Sequence, residues 1–535
     1  MRRSPLVLAL ALLGTLLAVP DVGAVGPGGW DHLGVGATSA LPSLNGPVLA
    51  MNADDPGVLL VGGSFTSAGG NAKAARIAAW NGVAWSALGA TPISNGSVRA
   101  IAYQGGKVYA GGTFLNAGGN ADADYLAVWS GSSWAPFCTP VTPGPAFTAT
   151  VSALQIVGNT LYVGGAFQNG AGIAAADYLV GCDLTSGVAS ATVLHDGDIN
   201  SGVYTLAADS SGTLYAGGLF INLAGIPEAD HVAAFNGGWS AMGTGPGGQA
   251  VDSVVRSLTS ISGGVVVGTD AVNVAGIPAA DHVARWNGSA WSAVGSNTAG
   301  TDGWFPASSF IYGLASVGQM VFAVGSFQNA NGVLAADQVA YFDGSTWRPI
   351  GSNGAGNGPL NAQSTAVEIF RMKVVAGGNF TSAGGDTHAQ YVAAYALTQP
   401  DARIALVAVG PFTGNNVYSP TGIGEARAVS VRRGHAATFY VSIQNDGLVA
   451  AAFRVKGTGV ARGITVHYYR GAANITTAVL AGTYSSGAIA ARGAVVIRMV
   501  VTVAKSSATT ATFLLRLTSA AGTTPDAVRA LVTAH

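Results

Sequence analysis

The 535-residue chain carries only 9% charged residues, a formal net charge of −1 and a mean hydropathy of +0.40, against roughly 25% charge in ordinary soluble domains. Past the first 20 residues no apolar run approaches the ~20 positions of a membrane helix, and no block of like charge marks a disordered chain. The 78 glycines lack the strict Gly-X-Y period of collagen. What remains is an all-β chain with room for more than one core.

The chain opens with Met1-Arg2-Arg3, an apolar stretch over 5–19, Pro20 and Val22-Gly23-Ala24. A basic start, a short apolar run and a small-x-small end predict a secretory signal peptide over 1–24, and hence a secreted or cell-surface protein. The Arg2-Arg3 pair hints at twin-arginine export, but Pro5 stands where that pattern wants a large apolar residue, so general secretion is the expectation. Two cysteines, Cys138 and Cys182, can pair in an oxidising compartment, and the sequence leaves that open.

From residue 28 the chain repeats. Val61-Gly62-Gly63-Ser64-Phe65 is echoed at 110–114, 163–167, 216–220, in degenerate form at 267–271, then at 324–327 and 376–380. The copies are spaced by 49 to 56 residues. In the first unit a small-residue loop, Ser67-Ala68-Gly69-Gly70, leads to Ile77-Ala78-Ala79-Trp80, then Asn81-Gly82, then Ala84-Trp85-Ser86-Ala87-Leu88-Gly89. An Asn-Gly pair between apolar runs predicts a hairpin, because both turn residues need positive φ; Asn236-Gly237, Asn287-Gly288 and Asp343-Gly344 repeat it. A further strand pair precedes each double glycine, as at 98–103 and 107–110. Each unit thus supplies four short antiparallel strands, the content of a β-propeller blade. The seventh unit lacks its last strand, while Gly28-Gly29-Trp30-Asp31-His32-Leu33-Gly34 matches Gly237-Gly238-Trp239-Ser240-Ala241-Met242-Gly243. The expectation is a seven-bladed β-propeller over 28–398 whose N-terminal strand closes the last blade. Units three (Cys182 in the aromatic place, no second Trp) and five (no Gly-Gly-x-Phe) depart from the pattern.

On these motifs the repeats resemble degenerate kelch-type repeats, and more closely the propeller repeats of the fungal cortical polarity-marker family and of secreted bacterial proteins. The resemblance covers 28–398 and implies a propeller without implying an activity.

Gln399-Pro400-Asp401 reads as a boundary. Alternating runs at 437–444, 448–455, 463–469, 494–503 and 510–518, with a turn at Asn445-Asp446-Gly447, predict an immunoglobulin-like β-sandwich over 401–535. It resembles the accessory sandwich modules of secreted bacterial proteins. Charge divides unevenly: 401–535 holds 13 Lys+Arg and 4 Asp+Glu, net +9, while 25–400 holds 9 and 20, net −11. Two ordinary surfaces would give this. So would a sandwich that docks on the propeller or on an anionic polymer through Arg427, Arg432, Arg433, Arg454 and Arg462.

Two inter-blade loops hold candidate site residues. Asp302-Gly303-Trp304-Phe305 places two aromatics beside a carboxylate, which suits stacking on a sugar ring or simply plugging the gap between blades. Asp196, Asp198 and Asn200 match the first half of a Ca²⁺ loop, although Ser201 and Ala207 stand where the turn glycine and bidentate Glu belong; the other reading is a solvated turn. Asp124, Asp177, Asp230, Asp281 and Asp337 recur before the third strand. A residue repeated five times does one local job, so these are expected to cap backbone N–H groups, and His231 and His282, which follow two of them, fall under the same argument. No G-x-S-x-G, P-loop or H-E-x-x-H motif is present. The expectation is a secreted, non-catalytic scaffold that presents a propeller face to a carbohydrate or protein partner at the cell surface, with no nucleic acid and no membrane span. The alternative is a carbohydrate-active enzyme with a divergent site in the propeller mouth.

Overall fold

The double glycines explain the architecture. In the computed structural model, which describes residues 29–38, 40–139, 146–187, 189–190, 199–461, 463–506, 510–519 and 525–535, each pair ends a strand that packs tightly on both sides. A Cβ on Gly62, Gly111, Gly164 or Gly377 would come within 2.4–2.7 Å of Val98, Val151, Val203 or Val48, the opening valine of another sheet. A Cβ on the partner glycine, such as Gly63 or Gly112, would strike the carbonyl of Pro47 or Ser97 at 2.1 or 1.9 Å. Only glycine fits either place.

The chain is all-β and built of small antiparallel sheets. Among the described residues seven have four strands. The first is Val48–Asn52, Leu59–Gly63, Ile77–Trp80 and Trp85–Ala87, paired in that order. Five follow along the chain, beginning at Val98, Val151, Val203, Val255 and Phe310. The seventh consists of Ser364–Phe370, Lys373–Gly378, Val392–Ala396 and Trp30–His32, with Trp30 opposite Tyr395 and His32 opposite Ala393. The first strand of each sheet packs against the first strand of the next, and Ser364–Phe370 packs against Val48–Asn52. Thr365 Oγ1 donates to the Val48 carbonyl at 2.6 Å.

Outer-strand tryptophans link sheets in sequence. Trp85 Nε1 donates to Leu33 O (2.6 Å), Trp134 to Leu88 O (3.2 Å), Trp291 to Met242 O, Trp347 to Val294 O, and Trp30 to Ile350 O (2.8 Å). Each is a buried or half-buried indole bonded to the residue that follows the outer strand of another sheet. Each bond satisfies an indole N–H that would otherwise lose its water on burial.

The third sheet has no such tryptophan, and there the two cysteines meet. Cys138 and Cys182 form a disulfide with Cα atoms 5.5 Å apart. Cys138 follows the outer strand Trp134–Pro136 and holds φ 60°, the left-handed place of Gly89 and Gly243; Cys182 lies in Leu179–Asp183. The bond joins the second sheet to the third, and it fits an oxidising compartment. The sixth sheet also departs. Val324 stands in the first-glycine place, its cross-strand partner Gly313 has shrunk to admit it, and the next sheet opens on Ser364 instead of valine.

A second compact unit comprises Ala396–His535 with Arg371–Lys373. It holds two five-stranded sheets around one core of Phe439, Phe453, Tyr468, Met499 and Phe513 with their aliphatic neighbours. One edge pair, Ala426–Val431 with Asp526–Ala534, is parallel. The strand expected at 448–455 begins only at Phe453, because the backbone N–H groups of Leu448 and Val449 turn to the Leu397 carbonyl. No helix among the described residues is long and apolar enough to cross a membrane. The expected signal peptide over 1–24 lies outside the described residues.

Candidate binding face

The first strand of each of the first six sheets carries a β-bulge, and the bulges line up. The register shifts between Val48 and Ala50, Val98 and Ala100, Val151 and Ala153, Val203 and Thr205, Val255 and Ser257, and Ile311 and Gly313. The extra residues are therefore Leu49, Arg99, Ser152, Tyr204, Arg256 and Tyr312. Their flanks are held by packing, whereas the bulged residue leaves the ladder and is re-aimed. It varies from sheet to sheet.

Arg256 is the best-defined member. Its Nε and Nη2 donate to Asp270 Oδ1 and Oδ2 at 2.7 and 2.6 Å, a bidentate pair that fixes the guanidinium plane. That plane lies over Phe310 and Tyr312, 5.4 and 5.6 Å from the ring centroids, and the two rings are within 6° of parallel. Phe310 is 37% exposed, an unusual cost for an aromatic residue at a strand end. Tyr204, the extra residue of the preceding sheet, is half-buried. Aromatic faces beside an immobilised arginine and a carboxylate combine apolar area with directed hydrogen bonds, the chemistry by which proteins hold polar rings.

Further along the first strand of the seventh sheet, Glu368 accepts a bond from Ile369 N–H at 2.8 Å. Burial, with the Asp54 charge adding to it, pushes its carboxyl up to about 7.

No family model matches the chain, and no curated protein sequence matches it. Among solved structures it is similar to domains 4 and 5 of the S-layer protein SbsC, at 20% identity and TM-score 0.12 over 20% of this chain and 47% of that one. A family 123 glycoside hydrolase from Clostridium perfringens gives 6% identity and TM-score 0.16 over 25% and 27%. A PapD-like domain of human CEP192 gives 7% and 0.14 over 21% and 79%. The chain thus spans less than half the length of the first two, and scores of this size bear on neither fold nor function.

The residues expected from sequence fall elsewhere. Trp304 and Phe305 are 5% and 4% exposed. Trp304 stacks on Trp347 at 5.9 Å; Phe305 meets Trp347 at 4.9 Å and Phe327 at 5.0 Å. Their faces are covered by protein, which corrects the stacking expectation: they plug the space beside the sixth sheet. Asp302 is exposed, and its Oδ1 accepts Gly303 N–H. Burial raises the neighbouring Asp281 carboxyl, with Asp302 adding to the rise.

Asp196 and Asp198 lie outside the described residues. Asn200 bonds both ways to the Ile221 backbone, at 2.9 and 3.1 Å. Asn95 does the same with Leu115, while Asn45 and Asn361 latch Thr66 and Thr381. Asn200 is thus one of a set of structural latches. Their signal was available: an asparagine stands 19 or 20 residues before Phe65, Phe114, Phe220 and Phe380.

The recurring aspartates do one backbone job. Asp124, Asp177, Asp230, Asp281 and Asp337 each accept, at 2.6–2.7 Å, the N–H of the asparagine eight residues earlier. Each of those asparagines is left-handed, with φ 49–55°. His231 and His282 sit at φ 61° and 60° with Nδ1 3.3 Å from the Gly218 and Thr269 carbonyls. The bulge residues were missed because they do not repeat.

Proposed function

We propose that the seven four-stranded sheets are the blades of a kelch-like β-propeller closed by the strand Trp30–His32, with an immunoglobulin-like sandwich after it. In this reading the protein is a secreted, non-catalytic scaffold that presents the bulged ends of its first strands to a carbohydrate at the cell surface or in the matrix. The observation that carries it is the platform of Arg256, Phe310 and Tyr312 held by Asp270. Support for closure is the contact of Ser364–Phe370 with Val48–Asn52 and the tryptophan bonds that run from sheet to sheet. The disulfide supports secretion. The non-catalytic part rests on the recurring aspartates, whose oxygens already serve backbone N–H groups instead of converging in a pocket.

A glycan array on the mature protein tests this, with Phe310→Ala and Tyr312→Ala beside wild type. Each variant should weaken glycan binding about tenfold, equivalent to ~1.4 kcal/mol, and leave the melting temperature within a degree or two. Full binding by both variants removes the platform from the site. Turnover of a bound glycan would favour the enzyme reading, with Glu368 the first carboxyl to replace.

A further inference from the structure

A residue that repeats has a repeat-wide job, so residues that break the repeat and meet in space stand out. The outer strands read Trp-Ser-Ala at 85–87, 239–241 and 291–293, Trp-Ala-Pro at 134–136 and Trp-Arg-Pro at 347–349. In the seventh sheet the strand reads Trp30-Asp31-His32, with metal-ligand residue types in both places after the tryptophan. The loop of the same sheet departs too. In the first sheet Ala68 and Asn71 bond through their backbones in both directions, and Asn71 Oδ1 accepts Lys73 N–H at 3.0 Å. In the seventh, Ala383 and Asp386 make the same backbone pair, and Asp386 Oδ1 accepts His388 N–H at 2.8 Å. An asparagine performs the turn as well as an aspartate does. The negative charge at 386 is surplus to it.

That charge meets the strand. Asp386 Oδ2 lies 2.7 Å from His32 Nδ1, which is 3.7 Å from Asp31 Oδ1. One ligand atom from each of the three lies within 4.8 Å of the other two, the only such group among the described residues. Zinc bonds to imidazole nitrogen and carboxylate oxygen at ~2.0–2.2 Å, which separates the ligand atoms of a tetrahedral site by roughly 3.3 Å. The observed separations bracket that value. The His32 and Asp386 side chains are 11% and 10% exposed, and His388, with Nδ1 3.3 Å from Asp386 Oδ1, is 39% exposed. Asp31, at 25% exposed, is the most accessible of the three ligands. A mixed nitrogen and oxygen donor set favours a first-row divalent ion over calcium.

We propose that Asp31, His32 and Asp386 bind one zinc-class divalent ion, which staples the strand Trp30–His32 to a loop some 350 residues later in the chain. The ion replaces the His32–Asp386 hydrogen bond.

The test uses the full, untagged chain, stripped with EDTA and titrated with Zn²⁺ by calorimetry while the melting temperature is followed. One equivalent should bind saturably and raise the melting temperature. Asp386→Asn keeps the turn, as Asn71 does, so it should fold and melt as the metal-free wild type does, yet lose at least tenfold in zinc affinity. His32→Ala should lose as much. Absence of saturable uptake by wild type overturns the proposal, and so does uptake that both variants retain.

Discussion

The repeat region and the C-terminal unit treat carboxylates in opposite ways. The repeats hold five recurring aspartates at loops, each on a backbone N–H, as at Asp124 and Asp230. The C-terminal unit has only Asp401, Glu425, Asp446 and Asp526, and they converge. Asp401, Glu425 and Asp526 are fully buried. Asp526 accepts Ser419, Ala402 and Ala527 N–H groups at 2.8, 2.5 and 2.9 Å. Arg403 Nε lies 3.6 Å from Asp401, and Tyr418 donates to Asp446. Burial first, then the neighbouring Asp446 and Asp526, pushes the Asp401 carboxyl up to about 8. Burial and Asp526 raise Glu425 as well, and burial raises Asp526. A carboxyl on one backbone N–H stays ionised at little cost. Buried carboxyls close together cannot all ionise. The first arrangement is cheap enough to copy five times; the second is a single-use feature that ties stability to pH.

Three experiments bear on this contrast. The largest effect is expected from deleting residues 30–34. It removes the fourth strand of the seventh sheet and the carbonyl of Leu33 that Trp85 bonds, and it bares the edge of Val392–Ala396. The melting temperature of the repeat region should fall by many degrees and oligomers should appear in size-exclusion chromatography. Unchanged melting would mean that the repeats do not depend on the N-terminal strand.

Next is the pH dependence of the C-terminal unit. Its three buried carboxyls bind protons more tightly in the folded chain than in the unfolded one, where Asp and Glu titrate near 3.8 and 4.5. The folded state therefore holds more protons between those values and about 9. Stability is then greatest at the acid end of that window and falls as pH rises through it. Glu425→Gln, which keeps the shape and cannot ionise, should flatten the fall and gain on the order of 1 kcal/mol at pH 8. Denaturant unfolding of the full chain at pH 5 and pH 8 reads both. A variant that loses stability at pH 8 would show that the ionised Glu425 is what the fold requires.

The smallest effect belongs to the repeated caps. Asp124→Ala, Asp177→Ala and Asp230→Ala should each lose about 1 kcal/mol, the cost of one half-exposed backbone N–H left without its partner. The losses should be alike. One member far costlier than the rest would show that a cap has acquired a second role.

The repeat region was legible for the same reason it is uniform. Double glycines, Asn-Gly turns and outer tryptophans each answer one steric or hydrogen-bonding demand, made again in every sheet. Trp30 could be matched to Trp239 on that basis, and the five aspartates assigned to backbone N–H groups. Trp304 and Phe305 gave two readings, a sugar platform or a plug, because sequence does not tell which face of a ring is covered. Arg256, Phe310 and Tyr312 escaped notice because a bulge shifts alternation by one residue, and only the register shows which side chain it re-aims. The buried carboxyls of the C-terminal unit come from three segments spread over 125 residues, and no local pattern announces that they meet.

The fit between a glycine and the opening residue of another sheet has a consequence for how such a chain can evolve. Gly62, Gly111 and Gly164 admit a valine; Val324, set opposite Gly313, is followed instead by a sheet that opens on Ser364. Transposing the sixth unit would press valine against valine at one junction and leave a hole at another, and dropping it would leave the hole alone. The units, though alike in sequence, are thus addressed to their neighbours, and an exchange of one for another is opposed by sterics at the junction itself.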